Sequence, residues 1–387
     1  MKILFITSRF PFPLEKGDKL RAFELIKNLS AHHQIILFAI NETVVTDSQL
    51  AQLKPYCEKI YTEQISKFNS YFNLLKNILG YLPFSVAYFL RKTVCQRIKA
   101  IATEEKPDHI FCHLIRMSEY VKDINIPKTL DYMDTFSMGM ERMLENESGL
   151  KKIAIAIEHK RLLRYESQIY NCFDKHIIIS DQDRSHIPHP DRDKIEVIPN
   201  GVDFDFFYPQ QLGKKYDVLF AGNMNYPPNI ESVLFLANEI WPLVLKQKPD
   251  AKLLIAGASP TLAIKQLQSN SITVSGWVDD IRTSFAHSKI MIAPMLISIG
   301  LQNKILQAMA MKVPCIVSSL ANNAVGAKHN QEVLIAATAA EYASCIISLL
   351  SDETQSQTIA ENAYTFVKQN FNWQVQTQRL EQYMIAS

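Results

Sequence analysis

Short apolar runs separated by helix-length stretches recur along this chain in two series, and that rhythm limits the folds open to it. In the first half the runs fall at residues 2–8, 34–40, 58–62, 108–113, 127–132, 174–180 and 194–199. Runs this short and this apolar read as strands buried on both faces. Helical stretches lie between them, the longest near 151–173. A second series begins at Asp217-Val-Leu-Phe-Ala-Gly222 and continues at 251–256, 271–275, 288–293 and 313–317, and three helical stretches, one of them 371–386, close the chain. Alternation of this kind predicts an α/β chain of doubly wound parallel sheets. With 387 residues there is room for two domains. The stretch 204–215, with Pro209, Gly213 and paired lysines, reads as the linker.

Hydrophobic residues make up 47% and charged ones 21%, the balance of a soluble globular protein. No apolar stretch approaches the roughly 20 residues that a bilayer span needs. The apolar start at Ile3 to Ile6 is short and lacks a cleavage pattern, so it reads as a first strand and not a signal peptide. Six scattered cysteines without a Cys-x-x-Cys spacing suggest free thiols in a reducing, cytoplasmic setting and no metal site. Eleven glycines include no G-x-G-x-x-G and no Walker sequence. Dinucleotide and P-loop ATP chemistry therefore lack their usual phosphate cradle, which disfavours a nicotinamide-dependent oxidoreductase.

Charge is unevenly placed. Residues 64–103 hold no acid and six bases, Lys67, Lys76, Arg91, Lys92, Arg97 and Lys99, with seven aromatics interleaved. Such a stretch can lie on an anionic membrane surface; equally, its aromatics can pack inward and leave the bases as a solvated face. A modest pI argues against nucleic acid.

The chemistry concentrates in Gly300-Leu-Gln-Asn-Lys-Ile-Leu-Gln-Ala-Met309, between the fourth and fifth strands of the second series. This segment leaves a strand, turns, and enters a helix whose first turn holds Asn303, Lys304 and Gln307. With Asn303 as N-cap, free backbone N–H groups and about half a positive charge point at whatever precedes the helix. Lys304 adds a full charge, and Gln307 falls on the same face. A diphosphate fits there, with the Gln307 amide left for a hydroxyl. The same pattern also fits an ordinary strand–helix unit with a solvent-facing lysine.

Three signatures together decide between these readings. Gln307-Ala-Met-Ala310 with Pro314, the string Ile195-Glu-Val-Ile-Pro-Asn-Gly-Val-Asp203 with Phe206, Phe207 and Pro209, and Lys2-Ile-Leu-Phe-Ile-Thr-Ser8 with its Pro- and Gly-bearing loop span most of the chain. The chain thereby resembles the family 4 retaining glycosyltransferases, nearest the exopolysaccharide/exosortase-associated sugar transferase branch. The resemblance implies two facing Rossmann-like domains, the GT-B fold, with an acceptor-side domain at 1–205 and a donor-binding domain at 206–370. Helix 371–387 would pack back on the first domain. It also implies transfer of a sugar from a nucleotide-diphosphate donor to a membrane-held glycan or lipid-linked acceptor in cell-surface polysaccharide synthesis, without a cofactor or metal. A protein so employed would be cytoplasmic or peripheral on the inner face of the plasma membrane. A non-catalytic relative, acting as a nucleotide-binding or partner subunit, is the alternative.

Carried over residue by residue, Gly300, Leu301, Asn303, Lys304 and Gln307 would hold the diphosphate and ribose. Gly222 and Asn223 end the first strand of the second domain, and Trp277-Val278 matches the base-contact loop, although Trp277 also reads as a core residue. In the first domain, Gly17-Asp18-Lys19 matches the turn that touches phosphate and acceptor, with Arg9, Lys16 and Arg21 as further phosphate partners. His113 stands where the family has a histidine near the transferred sugar, and Asp134 is placed for the acceptor. Lys304, His113 and Asp134 are thus the catalytic candidates. The family's paired glutamates are replaced by Ile299 and Gln307, and its Arg and Lys after the Gly222 strand are missing. Asp203-Phe-Asp205 spells a metal motif but follows the crossover turn, so it reads as linker.

Overall fold

The computed structural model describes residues 1–297 and 300–386; Ile299 lies outside the described residues. The chain forms two compact units, Met1–Pro199 with Gln376–Ser387, and Asn200–Val375. Asn200-Gly201-Val202 belongs to the second unit because Val202 donates its N–H to the Phe371 carbonyl at 2.7 Å. Gly201 is needed there for close approach and not for a positive φ: a Cβ would lie 2.5 Å from the backbone nitrogen of Trp373. Among the described residues no helix is long and apolar enough to cross a membrane.

The first unit is built on seven parallel strands, β1 (Lys2–Thr7), β2 (Gln34–Asn41), β3 (Lys59–Gln64), β4 (His109–His113), β5 (Lys128–Asp131), β6 (Lys175–Ile178) and β7 (Glu196–Val197). Their spatial order is β3-β2-β1-β4-β5-β6-β7. Central strands β1 and β4 are buried almost throughout, which is why they carry unbroken apolar runs where a half-exposed strand would alternate. Phe5 and Phe111 stack across them at 4.5 Å. Strand order reverses between β1 and β4, so the crevice outside their carboxyl ends is where an open α/β sheet places ligands.

The second unit carries six parallel strands, β8 (Tyr216–Ala221), β9 (Leu253–Ala256), β10 (Ile272–Gly276), β11 (Ser288–Ala293), β12 (Cys315–Val317) and β13 (Leu334–Ile335). The order is β10-β9-β8-β11-β12-β13, with its reversal between β8 and β11. Strand β13 is absent from the sequence reading, since two residues carry no period to detect. Where β8 and β9 end, the backbones nearly touch. A Cβ on Gly257 would stand 1.7 Å from the Gly222 carbonyl oxygen, so only glycine fits.

The basic stretch 64–103 divides into two kinds of residue. Val86, Phe89, Val94 and Ile98 are core, whereas Phe68, Tyr71, Phe72 and Tyr81 are exposed. Lys67 pairs with Glu42 at 3.8 Å, and two more of its bases are held within the unit. Arg91 donates to the Tyr88 and Leu90 carbonyls and to Ser70, and Arg97 pairs with Glu63.

Candidate functional site

In the second unit, the helix Asn303–Ala310 starts one residue earlier than the sequence suggests. Gln302, with extended φ and ψ, occupies the N-cap position and makes no side-chain capping bond. Asn303 is therefore the first helical residue, and its Oδ1 is buried without a partner. Gly300 takes a positive φ of 57° in the turn before the helix, and Leu301 is buried.

Lys304 is not the solvent-facing lysine of the alternative reading. It is only 9% exposed, its Nζ donates to Asn229 Oδ1 at 2.7 Å, and it lies 4.3 Å from the centre of the Phe220 ring. Burial pushes its ammonium down to about 7, because a charge without a counter-ion is disfavoured away from water. Asn229 stands in the helix Pro227–Phe235, and its Nδ2 donates to the Asn223 carbonyl at 2.9 Å. A Cβ at Gly222 would lie 2.8 Å from that same Nδ2. Gly222, Asn223 and Lys304 are thus gathered around one amide, and Asn229 is a residue that sequence reasoning missed. Its signal was faint: the Pro227-Pro228 pair marks a helix start just after a strand.

Around the same carboxyl edge, Gly257 donates its N–H to the Gly276 carbonyl at 3.0 Å, which brings the β10 end alongside. Trp277 follows and is not core: it is 67% exposed, its indole N–H reaching Asp279 at 3.2 Å. Val278 and Gln307 are half-buried. Asp203 is occupied as a turn residue, its Oδ1 accepting from the Asp205 and Phe206 N–H groups.

In the first unit the candidates meet at the carboxyl ends of β1, β4 and β5. Gly17 opens the helix Gly17–Leu29 with Met133 packed against it, so that a Cβ would stand 3.3 Å from Cε. Asp18 pairs with Arg9, and its carbonyl oxygen lies 3.0 Å from His113 Nε2. Burial alone would raise the Asp18 carboxyl, but Arg9, Arg116 and His113 outweigh it and hold it low. Lys19 pairs with Glu15 at 2.9 Å, and Lys16 is exposed.

Arg21 is no phosphate partner. It is fully buried, donating Nε to Asp131 Oδ2 at 2.8 Å and Nη1 to the Ile198 carbonyl at 2.9 Å. The His113 Nδ1 joins the same carboxylate oxygen at 3.0 Å. Burial would raise the Asp131 carboxyl, yet Arg21 and His113 hold it down at about 2. His113 is therefore clamped between Asp131 and the Asp18 carbonyl, and a neutral imidazole can donate to only one of the two.

Asp134 lies just beyond β5. Burial, then the neighbouring Asp183, push its carboxyl up to about 7, against the pull of Arg116. Its Oδ1 is buried without a partner. Arg116 is held between the rings of Phe89 and Phe136, 5.2 and 5.1 Å from their centres, with a buried Nε that has no partner. Sequence reasoning missed Arg116 as well, since an arginine three residues past a strand end looks like any surface base.

Residues 215–352 match the family described as Glycosyl transferases group 1. The chain is 25% identical to an uncharacterized 44.6 kDa protein in the cps region of Klebsiella pneumoniae, over 96% of each. Its fold is similar to that of sucrose-phosphate synthase from Thermosynechococcus elongatus, at TM-score 0.69, 16% identity and coverage of 99% of this chain and 98% of that one. It is similar too to Anabaena Alr3699/HepE, crystallised with UDP and glucose, at TM-score 0.70, 16% identity and full coverage of both chains. The architecture is GT-B.

Proposed function

We propose that this chain, whose second unit carries a group 1 glycosyltransferase domain, moves a sugar from a nucleotide-diphosphate donor to a membrane-held glycan or lipid-linked acceptor. The observation that supports this most is the Lys304–Asn229 pair beside Gly222 at the start of the helix Asn303–Ala310. The N–H groups of a first helical turn have no intrahelical acceptor, so they and Lys304 Nζ suit a diphosphate. As the bond from the anomeric carbon to the diphosphate breaks, negative charge grows on the leaving oxygen, and fixed donors stabilise that change. With Asn303 next to Lys304, the pair supplies both hydrogen bonds and charge. Gln307, one turn on, is assigned to a ribose hydroxyl, and Trp277-Val278 to the base.

On the first unit, Gly17-Asp18-Lys19 is assigned to the donor phosphate and the acceptor, His113 to the transferred sugar and Asp134 to the acceptor. The reaction retains configuration: the departing phosphate oxygen takes the acceptor proton on the face it leaves, and the protein contributes position and electrostatics. No metal takes part in this reading. Both the neighbouring HepE, crystallised with UDP, and the cps-region relative support a nucleotide-sugar donor and a surface polysaccharide. The setting is the cytoplasmic face of the plasma membrane.

Calorimetric titration with UDP and GDP tests the donor site directly. One of them should bind to the wild type and be lost in Lys304→Met; binding that survives the substitution removes Lys304 from the site. Gln307→Glu separates an enzyme from a non-catalytic relative. A charged acceptor on a hydroxyl is worth about 1.5–3 kcal/mol against about 0.5–1.5 for a neutral one. Donor binding should therefore hold or tighten by about fivefold, and turnover should persist. Tight binding without any donor hydrolysis or transfer, in both forms, would favour a nucleotide-binding partner subunit.

A further inference from the structure

Buried polar atoms of the first unit that lack a partner gather where its strands end. Thr7 Oγ1 and Ser8 Oγ lie at the end of β1, Arg116 Nε follows β4, Asp134 Oδ1 follows β5, and Gln182 Oε1 follows β6. Buried polar side chains are ordinarily bonded, so a row of orphans along one sheet edge marks a place that a polar ligand completes. The backbone leading into two of them is strained. Leu114, with φ 74° and ψ 143°, and Met133, with φ 64°, take positive angles that residues other than glycine rarely adopt. Leu114 comes two residues before Arg116, and Met133 directly before Asp134. Such conformations persist where their surroundings enforce them, and they collect at ligand sites.

Among these residues Arg116 carries a charge short of its counter-ion. Its guanidinium lies between the Phe89 and Phe136 rings and makes no hydrogen bond or ion pair among the described residues. Burial and the Arg9 charge push it down to about 10, and the pull of Asp18 and Asp134 does not make up the difference. Neighbouring groups are already engaged: Arg9 pairs with Asp18, Glu166 accepts from Ser137, and Asp183 from Ser180. Asp134, pushed up to about 7, keeps its proton much of the time near neutrality. One cation is thus left over, beside an acid able to donate a hydrogen bond.

We propose that Arg116, with Asp134 beside it, receives the carboxylate of an acidic sugar on the acceptor and so selects a uronate-bearing acceptor over a neutral one. A guanidinium meets a carboxylate in two parallel N–H···O bonds. The side-on form of that pair uses Nε, the atom left bare here. Asp134 in its acid form adds a further donor. The Thr7 and Ser8 hydroxyls, which can both donate and accept, suit the hydroxyls of a sugar ring. A phosphate monoester brings roughly two negative charges to a single spare cation, so a carboxylate is the better match. The inference rests on the sugar-transfer reading, whose acceptor side it deepens.

Ligand-observed NMR titration of the full chain with methyl glucuronide and with methyl glucoside tests it. The wild type should bind the uronide about tenfold more tightly, as a charge-assisted pair predicts. Arg116→Met should erase that preference, and Arg116→Lys should keep part of it, because an ammonium retains the charge without the planar fork. Both variants should melt with the wild type. Equal binding of the two sugars by the wild type, or a preference that survives in Arg116→Met, would overturn the proposal. Inorganic phosphate should displace the uronide poorly; displacement at equal concentration would give the guanidinium to phosphate groups and overturn it too. Titrating the wild type with UDP and GDP keeps the two readings apart. Nucleotide binding without a uronide preference sinks this inference alone. A uronide preference without nucleotide binding sinks the donor reading and leaves Arg116 as a uronate site.

Discussion

Lys304→Met is expected to lower kcat/KM about a hundredfold, the scale seen when one preorganised donor to a developing oxyanion is removed, while the fold survives. Methionine fills nearly the same volume beside Phe220, and it removes an amine whose burial is costly. Asn229 Oδ1 loses its 2.7 Å donor, which sets about 1–3 kcal/mol against that relief. Thermal melting should therefore move little, and activity greatly. A melt that collapses, or a rate that holds, contradicts the assignment.

A pH profile sharpens this prediction. Free Lys304 titrates at about 7, against 10.5 for an ordinary lysine. A bound diphosphate favours the ammonium, so donor binding takes up a proton above neutrality. Affinity should fall as pH rises past about 7, by up to about tenfold per unit, and Lys304→Met should flatten that fall. Between about 7 and 10.5 the unfolded chain holds a proton on Lys304 that the native chain lacks. This group alone therefore makes the native state more stable as pH climbs through that window, and Lys304→Met removes the effect.

The second large effect belongs to the first unit. Arg21→Met should destabilise it by about 3–5 kcal/mol, because Asp131 would be left as a buried charge short of its main counter-ion. Both side chains are fully buried, and their bonds at 2.8 and 3.2 Å form a two-armed pair. Urea unfolding followed through the first unit measures the loss. Adding Asp131→Leu to Arg21→Met should restore part of it, since removing both charges leaves no unpaired one; a double variant worse than the sum would refute this. The carboxyl of Asp131 titrates at about 2, below the ordinary 3.8. Its contribution is thus present above 3.8 and lost as pH falls toward 2. His113 shares this carboxylate, so its orientation, and with it the proposed sugar contact, should loosen in Arg21→Met.

These two variants separate what was legible from what was not. The strands announced themselves because parallel strands buried on both faces need an apolar centre, as the middle residues of β1, β4 and β8 show. The two-residue β13 could not, since pairing with β12 and not local pattern makes it a strand. Asn303 and Lys304 were found through their place at a helix start, but the start itself was misjudged by one residue because Gln302 takes extended backbone angles.

Sequence alone determined the two α/β units and the candidate glycine, asparagine and lysine at the second sheet's carboxyl edge, because backbone periodicity and helix-start chemistry are local. Only the tertiary structure decided which charges are free to act. Arg21 went into a buried pair and Lys304 into a pocket with Asn229, while Arg116 was set near Asp134. The physical reason is that a side chain's charge depends on burial and on partners more than 70 residues away in sequence, such as Asn229 for Lys304, and neither is written into the residues beside it.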